Sequence, residues 1–136
     1  MINFVLLAVL FIPAPADGGG GFPHTGTFSS LIYHEEGGDW LGIELLLVET
    51  GQGVEGALQF ADGEPRPPVL VHPRIEGERI SFEYADQGQR GRFRGRFTES
   101  GIRPLEPDPQ SWWNLRRRPS FWDRYRNETG GDWPSW

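Results

Sequence analysis

Two strictly alternating segments constrain this chain more than anything else in it. In Arg79–Tyr84 (RISFEY) the residues Ile80, Phe82 and Tyr84 share one face. In Gly91–Thr98 (GRFRGRFT) Phe93, Gly95 and Phe97 do the same, opposite Arg92, Arg94 and Arg96. A period of two belongs to an extended strand, whose successive side chains point to opposite sides. Between the two segments, Ala85 to Arg90 is polar and contains Gly88, which suits a hairpin connection. The centre of the molecule therefore reads as an antiparallel hairpin, aromatic inside and charged outside.

Upstream, the same logic predicts four further strands. Thr25–His34 comes first, followed by the turn Glu35–Asp39 with its Gly-Gly pair. Trp40–Glu49 is the most apolar segment, with Leu41, Ile43, Leu45 and Leu47 on one face and only Glu44 interrupting the other. Val54–Ala61 presents Val54, Gly56, Leu58 and Phe60 together; Asp62–Pro68 is a loop; and Val69–Ile75 is broken at Pro73, which fits an edge or a bulge. Strands spaced about ten residues apart, each with one apolar face, predict an all-β fold: a small antiparallel meander forming a barrel or a partly open barrel. Glycine and proline, 19 and 12 residues, favour turns over helices.

The two ends behave differently. Met1–Ala16 has an apolar run from Ile2 to Ile12, then Pro13-Ala14-Pro15-Ala16, with small residues at −3 and −1. This is the shape of a signal peptide cleaved after Ala16, although no Lys or Arg precedes the apolar run. The run is too short for a transmembrane span, which needs about 20 apolar residues. Residues 17–24 are a glycine-rich linker, and a single domain is expected over 25–123. The segment Arg103–Pro109 holds three prolines and is expected to stay outside the sheet, which puts complete barrel closure in doubt. Beyond it, an irregular tail carries five of the six tryptophans, with Ser111–Leu115 as a last strand, one helical turn within Ser120–Arg126, and residues 124–136 as a disordered end.

Composition removes several chemistries. All 13 basic residues are arginine, so no lysine Schiff base is available, and there is no cysteine for disulfides, thiol nucleophiles or thiolate metal sites. A net charge of −6 argues against sequence-independent nucleic-acid binding. The Arg90, Arg92, Arg94, Arg96 stripe reads as a solvated strand face paired with Glu76, Glu78 and Glu83. His34, Glu35, Glu36 and Asp39 gather metal-ligand types on one turn, with His24 and His72 elsewhere, but no recognised ligand spacing occurs; no metal and no cofactor are expected.

Glu44 is the residue in question. Facing inward among leucines it would be a binding or acid–base group; the stronger apolar face of Ile43, Leu45 and Leu47 turns it outward instead. No nucleophile elbow, P-loop or dinucleotide fingerprint accompanies it, so an enzyme built on Glu44 and His72 is the weakest reading. The tail tryptophans Trp112, Trp113 and Trp122 either pack over the open end of the barrel or form a partner-binding platform.

The motifs Gly26-Thr27-Phe28, Gly38-Asp39-Trp40-Leu41-Gly42-Ile43-Glu44-Leu45, Phe93-Arg94-Gly95 and Pro119-Ser120-Phe121-Trp122-Asp123 resemble a group of small exported bacterial β-proteins of uncharacterised activity. More broadly the layout is similar to lipocalin-like or avidin-like (calycin-like) barrels, which implies a ligand cavity. The resulting expectation is a monomeric, exported, periplasmic or secreted binding protein without catalysis. Its ligand, a small amphipathic molecule or envelope component, would be held by Glu44, Phe28, Phe60, Phe82, Tyr84, Phe93 and Phe97. The alternative is an interaction or inhibitor module of the cell envelope that uses the tryptophan-rich tail.

Overall fold

The computed structural model describes residues 21–123. The signal-peptide expectation for 1–16, residues 17–20 of the glycine linker and the tail 124–136, with Trp133 and Trp136, lie outside the described residues. Ten strands form one curled antiparallel sheet: β1 (Gly26–Ser29), β2 (Ile32–His34), β3 (Asp39–Thr50), β4 (Gly53–Pro65), β5 (Val69–Val71), β6 (Arg74–Glu76), β7 (Arg79–Asp86), β8 (Gln89–Thr98), β9 (Gly101–Pro104) and β10 (Leu115–Arg117). The order across the sheet is β5-β4-β3-β1-β10-β9-β8-β7-β6, with β2 pairing β3 off that path. The protein is an all-β half-barrel, as the alternation predicts.

The long hairpin β3–β4 runs from the pair Trp40↔Gly63 to Thr50↔Gly53. Strand β4 thus reaches past Ala61 into the segment expected to be a loop, because β3 offers a ladder along that whole length. The central hairpin β7–β8 closes at Asp86↔Gln89, which leaves Gln87 and Gly88 as a two-residue turn. Both have positive φ, 49° and 77°, the requirement of the turn whose twist matches paired strands. The expected first strand divides into β1 and β2 at a kink. There Ser29 Oγ accepts from Leu31 N (3.1 Å) and Ser30 Oγ from Ile43 N (3.1 Å). Opposite this kink, a Cβ on Gly42, where φ is +122°, would stand 2.7 Å from Ser30 O.

The proline-rich stretch corrects the sequence reading. Arg103 and Pro104 are not outside the sheet; they complete strand β9, between β8 and β10, and β10 in turn pairs with β1, whereas 105–109 lie outside every strand as expected. Successive N–H groups of a strand point to alternate sides. Leu105 N donates to Arg94 O on β8 (2.9 Å), so the donor missing at Pro104 faces the side where β10 pairs only with Gly101 and Ile102. The sheet therefore runs unbroken through this stretch, and the barrel is left incomplete elsewhere. Its open seam lies between β5 and β6, the two sheet edges, which Pro73 joins in sequence.

One face of every strand of the sheet path contributes to the main core, from Phe28, Ile43, Leu45 and Leu58 round to Phe97, Ile102 and Leu115, all at most 1% exposed, with the edge strand β6 adding only the partly buried Ile75. Packing begins upstream of Thr25: Phe22 joins this core, His24 stacks on Phe97 at 4.5 Å, and Arg117 donates to Pro23 O at 2.6 Å. A second, smaller core of Leu31, Ala61 and Phe121 with Trp40 sits on the outer face.

Candidate functional site

The aromatic residues expected to line a cavity are brought together, and the tail closes over them. Along β8 the inward positions Phe97 and Phe93 lie about 13 Å apart by strand geometry. His24 covers Phe97, and Trp113 covers Phe93, stacked at 4.6 Å with 20° between the planes. Trp113 also meets Phe60 edge-on at 5.9 Å, Tyr84 at 5.5 Å and Phe82 at 6.3 Å. The Tyr84 ring lies over Gly91, where a Cβ would be 2.2 Å from its Cζ. Phe60, Phe82, Phe93 and Phe97 are 8, 4, 3 and 1% exposed, and Phe28 is fully buried. The rings fill this end of the half-barrel with one another and with Trp113.

Two side chains pin Trp112 and Trp113 there. Asp108 Oδ2 accepts the backbone N–H of Trp113 at 2.7 Å, and Ser30 Oγ donates to Trp112 O at 2.5 Å. Pro107 and Pro109 thus belong to the loop that carries the plug. Burial pushes the Tyr84 phenol above its ordinary value, and the nearby charge of Asp86 adds to the effect.

Glu44 points to the outer face and is nevertheless buried, 5% exposed. Its position beside Ser29 on β1 and Gln59 on β4 puts three buried polar residues in one row. The chain beyond β10 crosses this row as a strap. Arg118 N donates to Thr27 O (3.1 Å), Ser120 Oγ to Glu44 Oε1 (2.7 Å), Phe121 N to Glu44 Oε2 (2.9 Å) and Trp122 Nε1 to Gln59 Oε1 (3.0 Å). Ser120 Oγ also accepts Trp122 N at 3.2 Å, the capping contact of the helical turn over 121–123. Glu44 is therefore the acceptor that anchors a helical turn to the sheet. The Ser-x-x-Asp pattern of Ser120 and Asp123 was the signal for that turn; nothing in the sequence pointed to its partner.

His72 meets Glu55 (2.5 Å), not Glu44. Among the described residues, no group of three or more His, Cys, Asp or Glu is placed to hold a metal ion, and no helix is long and apolar enough to cross a membrane. A cleft of about 560 Å³ opens beside the seam, lined by Leu70, Glu83, Tyr84, Ala85, Arg90, Gly91 and Arg92. The pairing expected for the arginine stripe does not form among the described residues: Arg94 binds Glu106 instead, Glu76 is taken by Arg74, and Glu83 faces Arg92 in register without an ion pair.

The fold and these contacts define an antiparallel half-barrel with a tryptophan plug inside and an anchored strap outside. No protein-family model matches the chain, and neither curated proteins nor solved structures give a significant match.

Proposed function

We propose that the chain is an exported, non-catalytic binding protein, of the small calycin-like kind, that meets its partner through the outer surface of its sheet. The observation that carries this reading is Trp113 seated on Phe60, Phe82, Tyr84 and Phe93, the rings that would otherwise line a ligand cavity. The tail tryptophans support it from the other side. Trp112 and Trp113 pack against the core and Trp122 is bonded to Gln59, so these residues serve the fold and are poorly suited to form a partner platform. Glu44, with its carboxylate committed to Ser120 and Phe121, is equally ill-suited to acid–base work.

A second reading places a small amphipathic anion in the seam cleft. Leu70, 78% exposed, and the Tyr84 ring supply apolar wall there, and Arg90 and Arg92 supply charge. Its volume lies within the usual range for ligand sites.

Native mass spectrometry of protein exported with its own N-terminus separates the two. The expected species is a monomer beginning at Asp17 and carrying nothing. A stoichiometric small-molecule adduct would overturn the surface reading in favour of the cleft, and an uncleaved chain would overturn export.

A further inference from the structure

The sheet register creates an arrangement on the outer face of β7, β8 and β9 that strand pairing ordinarily avoids. Arg79 stands directly opposite Arg96, and Arg96 directly opposite Arg103. All three side chains point outward, since their neighbours Ile80, Phe97 and Ile102 are in the core. Like charges facing each other across strands destabilise a sheet. No carboxylate among the described residues lies within ion-pair distance of these three. The acids closest in the ladder are already occupied, Glu76 by Arg74 and Glu106 by Arg94. Arg90 and Arg92 continue the positive line along β8 and are also exposed and without an ion pair. A chain with a net charge of −6 thus gathers five arginines without an ion pair on one face, with Glu83 opposite Arg92 and the Arg74-bound Glu76 opposite Arg79 as the acids in register with them.

Spacing narrows what this face fits. Arginines two residues apart on a strand repeat at about 7 Å, and those on adjacent strands at about 5 Å. From Arg90 to Arg96 the line covers about 20 Å, far more than a single small anion spans. The guanidinium fork matches sulfate and phosphate oxygens in pairs. The rings that alternate with the arginines, Phe93 and Phe97, are buried beneath them, so the face offers no stacking platform of the kind single-stranded nucleic acid uses. Nor does it carry the exposed apolar side chains that seat a protein in a membrane surface. The exposed large hydrophobics Ile32, Tyr33, Leu46, Val48 and Trp122 belong to other elements; Leu105 borders the face beside β9, and Leu70 borders it at the Arg90–Arg92 end.

We propose that the outer face of β7–β8–β9, centred on Arg79, Arg96 and Arg103, is the docking surface for a linear anionic glycan, a polysaccharide bearing sulfate or phosphate groups. This proposal rests on the surface reading above and names its partner. An extended polyanion laid along β8 supplies the negative charge that the row Arg79–Arg96–Arg103 lacks. Because binding releases counterions from the glycan, affinity falls steeply with salt, by roughly 0.7 to 0.9 in the log–log slope per neutralised charge if the glycan behaves as nucleic acids do.

The test uses the exported full chain, heparin as the sulfated-glycan probe, and the double variant Arg96→Gln/Arg103→Gln, with circular dichroism to verify that the sheet is intact. The wild-type chain should be retained on heparin at about 0.1 M salt, where charges beyond about 10 Å are screened. It should also elute later than from a sulfonate exchanger, and the double variant should lose that advantage and lower the salt slope by about 1.5. Passage through heparin without retention overturns the glycan partner while leaving an empty exported monomer intact as the broader reading. Retention unchanged in the double variant overturns the site. Tighter binding to a single-stranded oligonucleotide or to anionic phospholipid vesicles than to heparin overturns the choice of partner.

Discussion

Replacing Glu44 with alanine should detach the strap from the sheet, and the cost follows from the contacts. Glu44 and Phe121 are 5% and 3% exposed, so the bond between them is shielded from water while the strap is docked. The carboxylate accepts Ser120 Oγ at 2.7 Å and the Phe121 N–H at 2.9 Å. Hydrogen bonds to a charged group contribute about 1.5 to 3 kcal/mol each, and the buried N–H left without an acceptor forfeits its desolvation energy. Part of this is regained as the strap peels away and the donors meet water. A loss of about 3 kcal/mol remains, or roughly 12 °C or more in Tm for a domain near 100 residues. Glu44→Gln keeps one acceptor oxygen and should lose about half as much. The assay is thermal and urea unfolding followed by far-ultraviolet circular dichroism, repeated in a chain truncated after Pro119. In that background the strap is gone and Glu44→Ala should be within about 0.5 kcal/mol of neutral. Equal losses in both backgrounds would refute the anchor argument, because the cost would then arise within the sheet.

Trp113→Ala should cost about 3 kcal/mol, the low end for a tryptophan because the ring is only partly buried, and urea unfolding measures it. A loss below 1 kcal/mol would mean that the rings of Phe60, Phe82, Tyr84 and Phe93 do not depend on the plug. Tyr84 should ionise above the ordinary tyrosine value of about 10, seen as a late step in the alkaline absorbance titration that disappears in Tyr84→Phe. Since its folded value is raised, the stability it contributes is complete below pH of about 10 and is lost as pH rises from there through the folded value. A titration with no step removed by Tyr84→Phe above that value would contradict the burial argument.

The strands that alternate most strictly were legible without coordinates. Ile80, Phe82, Phe93 and Phe97 lie in the core as their period of two requires, and Glu44 faces outward as its leucine and isoleucine neighbours indicated. Pro73 does mark an edge, and in fact it marks both, by joining β5 to β6. Less was legible where a residue's role depends on a segment far along the chain. Outward suggested exposed for Glu44, yet Ser120 and Phe121, some 76 and 77 residues away, bury it. The prolines of Arg103–Pro109 suggested an end to the sheet, yet Pro104 needs no donor on the side its nitrogen faces.

The sequence by itself determined the backbone state and the facing of side chains, because period, turn chemistry and strand-breaking residues act between neighbours. It could not determine which strands lie side by side. Only the tertiary structure placed β10 between β1 and β9, Trp113 over four rings from three strands, and Arg79, Arg96 and Arg103 in one row. Those placements are set by register and closure, which depend on the simultaneous packing of every inward face and leave no trace in any local stretch.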